Sequence, residues 1–205
     1  MSLFYRFAYW LGVTPWEAQH HPVAAAQIEA LFDREQSGRD PPFGRVLDVG
    51  CGRGYWSINL SQRGWQVTGV DLVNKAIAAA RKNAAEKGVD VTFIEADVTG
   101  MSGQGLTPGF NLFWDFGTLH GLPPQAFKGA AGEIDLLAGP DAVLLLLAWA
   151  PGARSPLPRG LGRDEIESAF PNWRVLNIES FDATGLPPPL RRVDPHIYRL
   201  QRTQQ

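Results

Sequence analysis

A chain of 205 residues, 44% of them hydrophobic and 20% charged, can close one substantial core, so a single domain over 1–205 is expected. Its 19 basic and 21 acidic residues give a net charge of −2 without any basic run that would track a phosphate backbone, which argues against a nucleic-acid partner. The lone cysteine, Cys51, excludes an intramolecular disulfide and points to a reducing, cytoplasmic setting, and no Cys/His cluster has the spacing of a metal site.

Residues Met1 to Val13 are rich in Phe, Tyr and Trp, with Phe4, Phe7, Ala8 and Leu11 at helical spacing on one face. Interrupted by Arg6, this run falls short of the roughly 20 apolar residues of a membrane span, so stable membrane insertion is not expected. Its apolar face can pack on the domain, touch a membrane shallowly or move as a lid. Residues 1–21 are read as a lid segment that brings Trp16 over a ligand.

A helix is expected from about His21 or Pro22 to Glu35, with Ala25, Ile28, Leu31 and Phe32 on one side, followed by a polar turn at Ser37 to Pro42. Strands at Arg45–Val49, Val67–Val70, Val91–Glu95, Phe110–Trp114 and Ala142–Trp149 alternate with helices at Tyr55–Gln62, Asn74–Lys87 and Pro124–Ala138. After a Pro/Gly-rich loop at Pro151 to Gly162, Arg174–Phe181 and His196–Arg202 read as an antiparallel pair joined through Pro187, Pro188 and Pro189. Alternation of this kind implies an α/β, Rossmann-like three-layer sandwich. Its seven-stranded sheet is mostly parallel with the last strand antiparallel, and helices cover both faces.

The most informative stretch is Val46 to Gly54, V-L-D-V-G-C-G-R-G, a buried strand running into a three-glycine turn. Gly50, Gly52 and Gly54 can take positive φ, which lets a ligand lie against bare backbone beside Cys51. Asp71, closing the next apolar run, offers acceptor oxygens to a ribose diol. A nicotinamide dinucleotide would also use a glycine turn and a later acidic residue. Here, however, Tyr55 and Trp56 occupy the place of a third, later glycine, and Asp48 would repel a diphosphate while attracting an ammonium group. S-adenosylmethionine carries that ammonium and is the ligand these residues favour. Between its glycines Cys51 reads as a small packing residue rather than a nucleophile.

With these residues the chain resembles the class I S-adenosylmethionine-dependent methyltransferases. The resemblance spans about Phe43 to Trp149 and takes in V-T-G-V-D-L and I-E-A-D-V. It implies that Asp71 holds the ribose hydroxyls and Leu72 packs on the adenine. It also implies that Asp97 lies near the adenine amino group with Val98 beneath the ring. The flanking pieces resemble the small-molecule thiopurine and thiol S-methyltransferases: Thr14-Pro15-Trp16-Glu17 over the donor, D-x-G-x-x-H at Asp115 to His120, and Gly160 to Glu167 after the fifth strand. Asn111 and Phe116 depart from that group, which often has Asp and Arg there, so the acceptor pocket is expected to be less cationic.

The implied acceptor is a small molecule, with thiol sulfur first and oxygen or heterocyclic nitrogen next; a catalytically silent donor-binding protein is the alternative. Asp115 and His120 are the candidates for a weak base; Asp115 is also a candidate donor contact or a cap for the following turn, and His120 reads equally as a helix-start or pocket-wall residue without proton transfer. The turn of Gly50, Cys51, Gly52 and Gly54, with Asp48, Asp71, Leu72, Asp97, Val98 and Trp16, forms the expected cofactor site. Trp16, Trp114, Phe116, His120 and Trp149 are the candidate walls for the acceptor, although Trp114 and Trp149 sit in strands and read equally as core. Oligomeric state leaves no signature in the sequence.

Overall fold

The computed structural model describes residues 22–152, 158–184 and 194–203. The lid segment 1–21 with Trp16, and the proline-rich turn at 187–189, lie outside the described residues. The strands are β1 (Arg45–Val49), β2 (Gln66–Asp71), β3 (Val91–Glu95), β4 (Phe110–Phe116), β5 (Ala138–Trp149), β6 (Trp173–Ser180) and β7 (Pro195–Arg202). The helices are α1 (Pro22–Gln36), α2 (Tyr55–Gln62), α3 (Asn74–Lys87), α4 (Pro124–Leu137) and α5 (Arg163–Ala169). Single 3-10 turns occur at Ser102–Gln104 and Leu119–Gly121.

The seven strands form one sheet in the order β3-β2-β1-β4-β5-β7-β6. The first five run parallel, while β7 enters between β5 and β6 and pairs antiparallel with both. This is the α/β architecture expected from the alternating elements. Both faces of the central strands are covered, which explains the unbroken apolar run Val143 to Ala148 in β5. One face carries α4 and α5 through Phe127, Ile134, Ile166 and Phe170, and the other carries α1 and α2 through Ile28, Phe32, Trp56 and Leu60.

The largest boundary differences from the sequence reading lie at β5 and β4, the others being shifts of one residue. The α4 helix stops at Leu137 and passes directly into β5, with no connecting turn before Ala142. Pro140 suggests a break, but β5 absorbs it in an irregularity. The register shifts between the Phe110–Ala138 and Leu112–Val143 pairs, and Asp141 takes a φ of 54°. At the other end of the neighbouring strand, β4 continues two residues past Trp114, with Asp115 and Phe116 paired to Leu146 and Leu147. Trp114, which the sequence leaves between pocket wall and core, is fully buried. It meets Phe32 edge-on with centroids 5.1 Å apart and stacks on Phe116 at 5.7 Å.

Candidate functional site

The order of the sheet creates the site. Strand β1 has β2 on one side and β4 on the other, so the chain leaves its two neighbours toward opposite halves of the sheet. A crevice opens at the carboxyl ends between them.

The glycine turn after β1 forms one wall and is fastened to β2, because the amides of Gly50 and Cys51 both donate to the Val70 carbonyl at 2.8 Å. Gly50, Gly52 and Gly54 have φ of 74°, 54° and 79°. At Gly50 space is the stricter limit: a Cβ there would lie 1.8 Å from Thr118 Oγ1, so the turn after β1 touches the turn after β4. Gly54 opens α2 from the left-handed region.

Asp71 links this turn to the next helix. Its Oδ2 accepts from the Gly52 amide at 3.0 Å and its Oδ1 from the Val73 amide at 2.8 Å. Burial raises the pKa of this carboxyl, and the Val73 and Gly52 amides oppose the rise. Beside it Leu72 is 39% exposed, an apolar side chain held at the rim of the crevice. Asp97 is exposed and accepts from the Thr99 amide at 2.9 Å and the Thr99 hydroxyl at 2.7 Å, which lower its pKa; Val98 after it is buried.

Asp48 sits beneath the turn. It is buried and accepts a 2.5 Å hydrogen bond from Ser57 Oγ, so it braces the first turn of α2 against β1. Burial pushes its pKa up to about 7 against the pull of the Ser57 hydroxyl. Cys51 is buried too, and loss of solvation holds its thiol in the protonated form, without the thiolate character of a nucleophile.

On the β4 side, Asp115 is 0% exposed and its Oδ1 accepts from the amides of Thr118 at 3.0 Å and Leu119 at 3.1 Å, capping the 3-10 turn. Burial pushes this carboxyl up to about 8 despite those donors. His120 follows in the same turn at 2% exposure, with its Nδ1 accepting from the Trp149 amide at 3.1 Å and its ring 4.8 Å from the Trp149 ring. Desolvation, with a smaller push from Arg159, lowers its pKa to about 3, so the ring is neutral. Asp115 and His120 therefore share one short turn without bonding to each other.

Three residues absent from the sequence reading complete the site. Ser57 partners Asp48, and Thr118 abuts Gly50. Arg159 pins the loop after β5 over the 3-10 turn: its Nε donates to the Leu122 carbonyl at 2.5 Å, and its two terminal nitrogens grip Glu165 at 2.7 and 2.8 Å. A serine nine positions after Asp48, on the inner side of the helix that follows the glycine turn, was the available signal for the first contact. Thr118 and Arg159 leave none, since their partners are brought close only by the crossovers.

Comparison with known proteins gives this crevice a family context. Residues 46–140, from β1 through the start of β5, match the family model described as a methyltransferase domain. That stretch of the chain is therefore similar to a methyltransferase domain. The domain is 32% identical over 114 residues to a 2-heptyl-1-hydroxyquinolin-4(1H)-one methyltransferase of Mycobacteroides abscessus, an alignment covering 55% of this chain and 49% of that protein. The chain thus spans about half the length of that curated relative.

Solved structures extend the likeness in fold beyond the matched region. One, described with the conversion of a disulfide bond into a thioacetal group during echinomycin biosynthesis, superposes with a TM-score of 0.74 at 24% identity, covering 99% of this chain and 93% of the other. The 1,6-didemethyltoxoflavin-N1-methyltransferase of Burkholderia thailandensis, solved with S-adenosylhomocysteine, gives 0.72 at 22% identity, covering 98% and 86%. Among the described residues, no helix is long and apolar enough to cross a membrane.

Proposed function

We propose that this chain transfers the methyl group of S-adenosylmethionine to a small-molecule acceptor in the cytoplasm, with thiol sulfur the preferred acceptor atom. The observation that carries the reading is the junction of Asp71 with the glycine turn at the switch point of a methyltransferase domain. Each Asp71 oxygen accepts one backbone amide and retains a lone pair for a hydroxyl, as a ribose diol requires. Exposed Leu72 suits an apolar purine face, and Asp97 suits an amino group at its edge. A dinucleotide fits less well, because Tyr55 and Trp56 stand in the first turn of α2 and buried Asp48 lies beneath it.

S-adenosylmethionine, when bound, supplies an electrophilic methyl group already attached to its leaving group. The task left to the chain's own residues is alignment, which is worth roughly 7 to 11 kcal/mol in well-oriented reactions. The glycine turn and Asp71 orient the donor. Phe116, Trp149 and the Arg159-pinned loop border a water-poor acceptor space, and residues 1–21 with Trp16 close it as a lid.

Sulfur is favoured by the protonation states around the β4 edge. Asp115 with a pKa of about 8 and His120 with a pKa of about 3 are both uncharged at neutral pH, which leaves neither poised as a strong base. A thiol with pKa about 8.5 supplies a few per cent of anion unaided, whereas a phenol near 10 supplies far less. The echinomycin-pathway neighbour also concerns sulfur chemistry, whereas a ubiquinone biosynthesis O-methyltransferase of Caulobacter and the 1,6-didemethyltoxoflavin-N1-methyltransferase keep oxygen and nitrogen acceptors as the second reading.

A radiolabelled methyl donor offered with matched thiols, phenols and heterocycles tests the proposal. Thiols should be methylated fastest at pH 7, and a phenol outrunning thiols of the same size would reverse the acceptor preference.

A further inference from the structure

The geometry points to His120 as a fixed hydrogen-bond donor that selects acceptor molecules carrying a lone-pair atom beside the nucleophile. This assignment rests on the methyl-transfer reading for what fills the space. The backbone amide of Trp149 can only donate, and it aims at Nδ1 from 3.1 Å. Nδ1 must therefore keep its lone pair, and the proton of the neutral ring resides on Nε2. An imidazolium would place a second N–H against that amide. The ring is held in this pose by the Trp149 ring on one side and the 3-10 turn that carries it.

The Nε2 edge faces Gly117. A Cβ at that position would make ordinary contact with both Cε1 and Nε2, 3.6 Å away, so at the end of β4 glycine sets no side chain against this edge of the ring, which as a whole is 2% exposed. Gly117 has a φ of 88°, which joins the strand to the turn. Among the described residues none accepts a hydrogen bond from Nε2. The charged groups around the ring reinforce the neutral form. Arg159 approaches from the loop after β5 with its charge paired to Glu165, and Asp115 from β4 is turned to the amides of Thr118 and Leu119. Among the described residues no carboxylate is bonded to Nε2. The consequence differs from base catalysis: the residue contributes an N–H, and its contribution depends on the acceptor having an atom to receive it.

The full chain, uniformly labelled with 15N and saturated with S-adenosylhomocysteine, supplies the test. Its binding isotherm for S-adenosylhomocysteine reports separately on the methyl-transfer reading. Long-range proton–nitrogen NMR then reads the imidazoles between pH 5 and 8, with the His120 signal assigned among the four histidines by its loss in His120→Gln. The expected signal is an Nε2-protonated ring that does not titrate.

Thiophenol and methyl thiosalicylate, which differ by an ester carbonyl beside the thiol, are then titrated against the wild type, His120→Phe and His120→Gln. Loss of one neutral hydrogen bond should weaken methyl thiosalicylate about three- to tenfold in His120→Phe while thiophenol changes little. His120→Gln, which carries an amide N–H in place of the ring's, should recover most of that difference. A ring that titrates in the window, a proton on Nδ1, or equal weakening of both probes would overturn the assignment.

Discussion

Asp71, Asp48 and Asp115 bring three carboxyl side chains into one crevice, and the environment assigns them different work. Asp71 keeps acceptor capacity at the crevice, so Asp71→Ala should weaken S-adenosylhomocysteine binding by about 1.5 to 3 kcal/mol, the range for hydrogen bonds to a charged group. Calorimetry reads this directly, and unchanged affinity would remove Asp71 from the site. Burial pushes the pKa values of Asp115 and Asp48 up to about 8 and about 7. Above the pKa of an unfolded carboxyl, near 4, the native state then binds protons that the unfolded chain has released. Stability must fall as pH rises through that window, by up to ~1.4 kcal/mol per pH unit for each group.

His120 acts in the opposite sense. With its native pKa lowered to about 3, its contribution grows as pH rises from about 3 to the unfolded value near 6.5. Asp115→Asn retains an oxygen for the Thr118 and Leu119 amides and removes one titration. Urea denaturation at pH 5 and pH 8 should show a smaller loss of stability in the variant than in the wild type. An equal loss would mean that Asp115 is ionised across the range.

At the level of elements, the turn after β1 and the turn after β4 meet at Gly50 and Thr118. Gly50→Ala combines a φ of 74° with a Cβ placed 1.8 Å from a hydroxyl oxygen, so it should destabilise the fold by about 1 to 3 kcal/mol and reduce donor affinity together. Thermal denaturation alongside calorimetry checks both effects. A variant with normal stability and affinity would mean the two turns are not in fixed contact. For the N-terminal segment, Trp16→Ala should lower donor affinity or turnover while leaving the denaturation midpoint unchanged. Equal activity would dismiss the lid.

The helices and strands themselves were legible because their signals are local. Asn74–Lys87 and Val91–Glu95 have the bounds their spacing predicts, and α3 ends on Gly88, whose left-handed conformation lets its amide bond back to Ala84 and Ala85. The start of β5 was not legible. Pro140 reads as a break, and only the neighbouring β4 explains why the chain bulges there and remains in the sheet.

Across the whole molecule, the seven-stranded sheet with antiparallel β7 brings the ends of β1, β2 and β4 to one crevice, as expected from strands alternating with helices. The Gly50–Gly54 turn and Asp71 were visible in advance because backbone demands on glycine and a strand-end carboxylate leave a local pattern. The states of the groups around them were not. That His120 is neutral and that Arg159 clamps the neighbouring loop both depend on which residues the crossovers bury together.

The central claim is that this crevice holds the adenosyl donor, and calorimetric titration of the full chain tests it most directly. S-adenosylmethionine and S-adenosylhomocysteine should each bind at one site, with reduced nicotinamide dinucleotide giving no heat of binding. Saturable binding of the dinucleotide without either adenosyl compound would contradict the account.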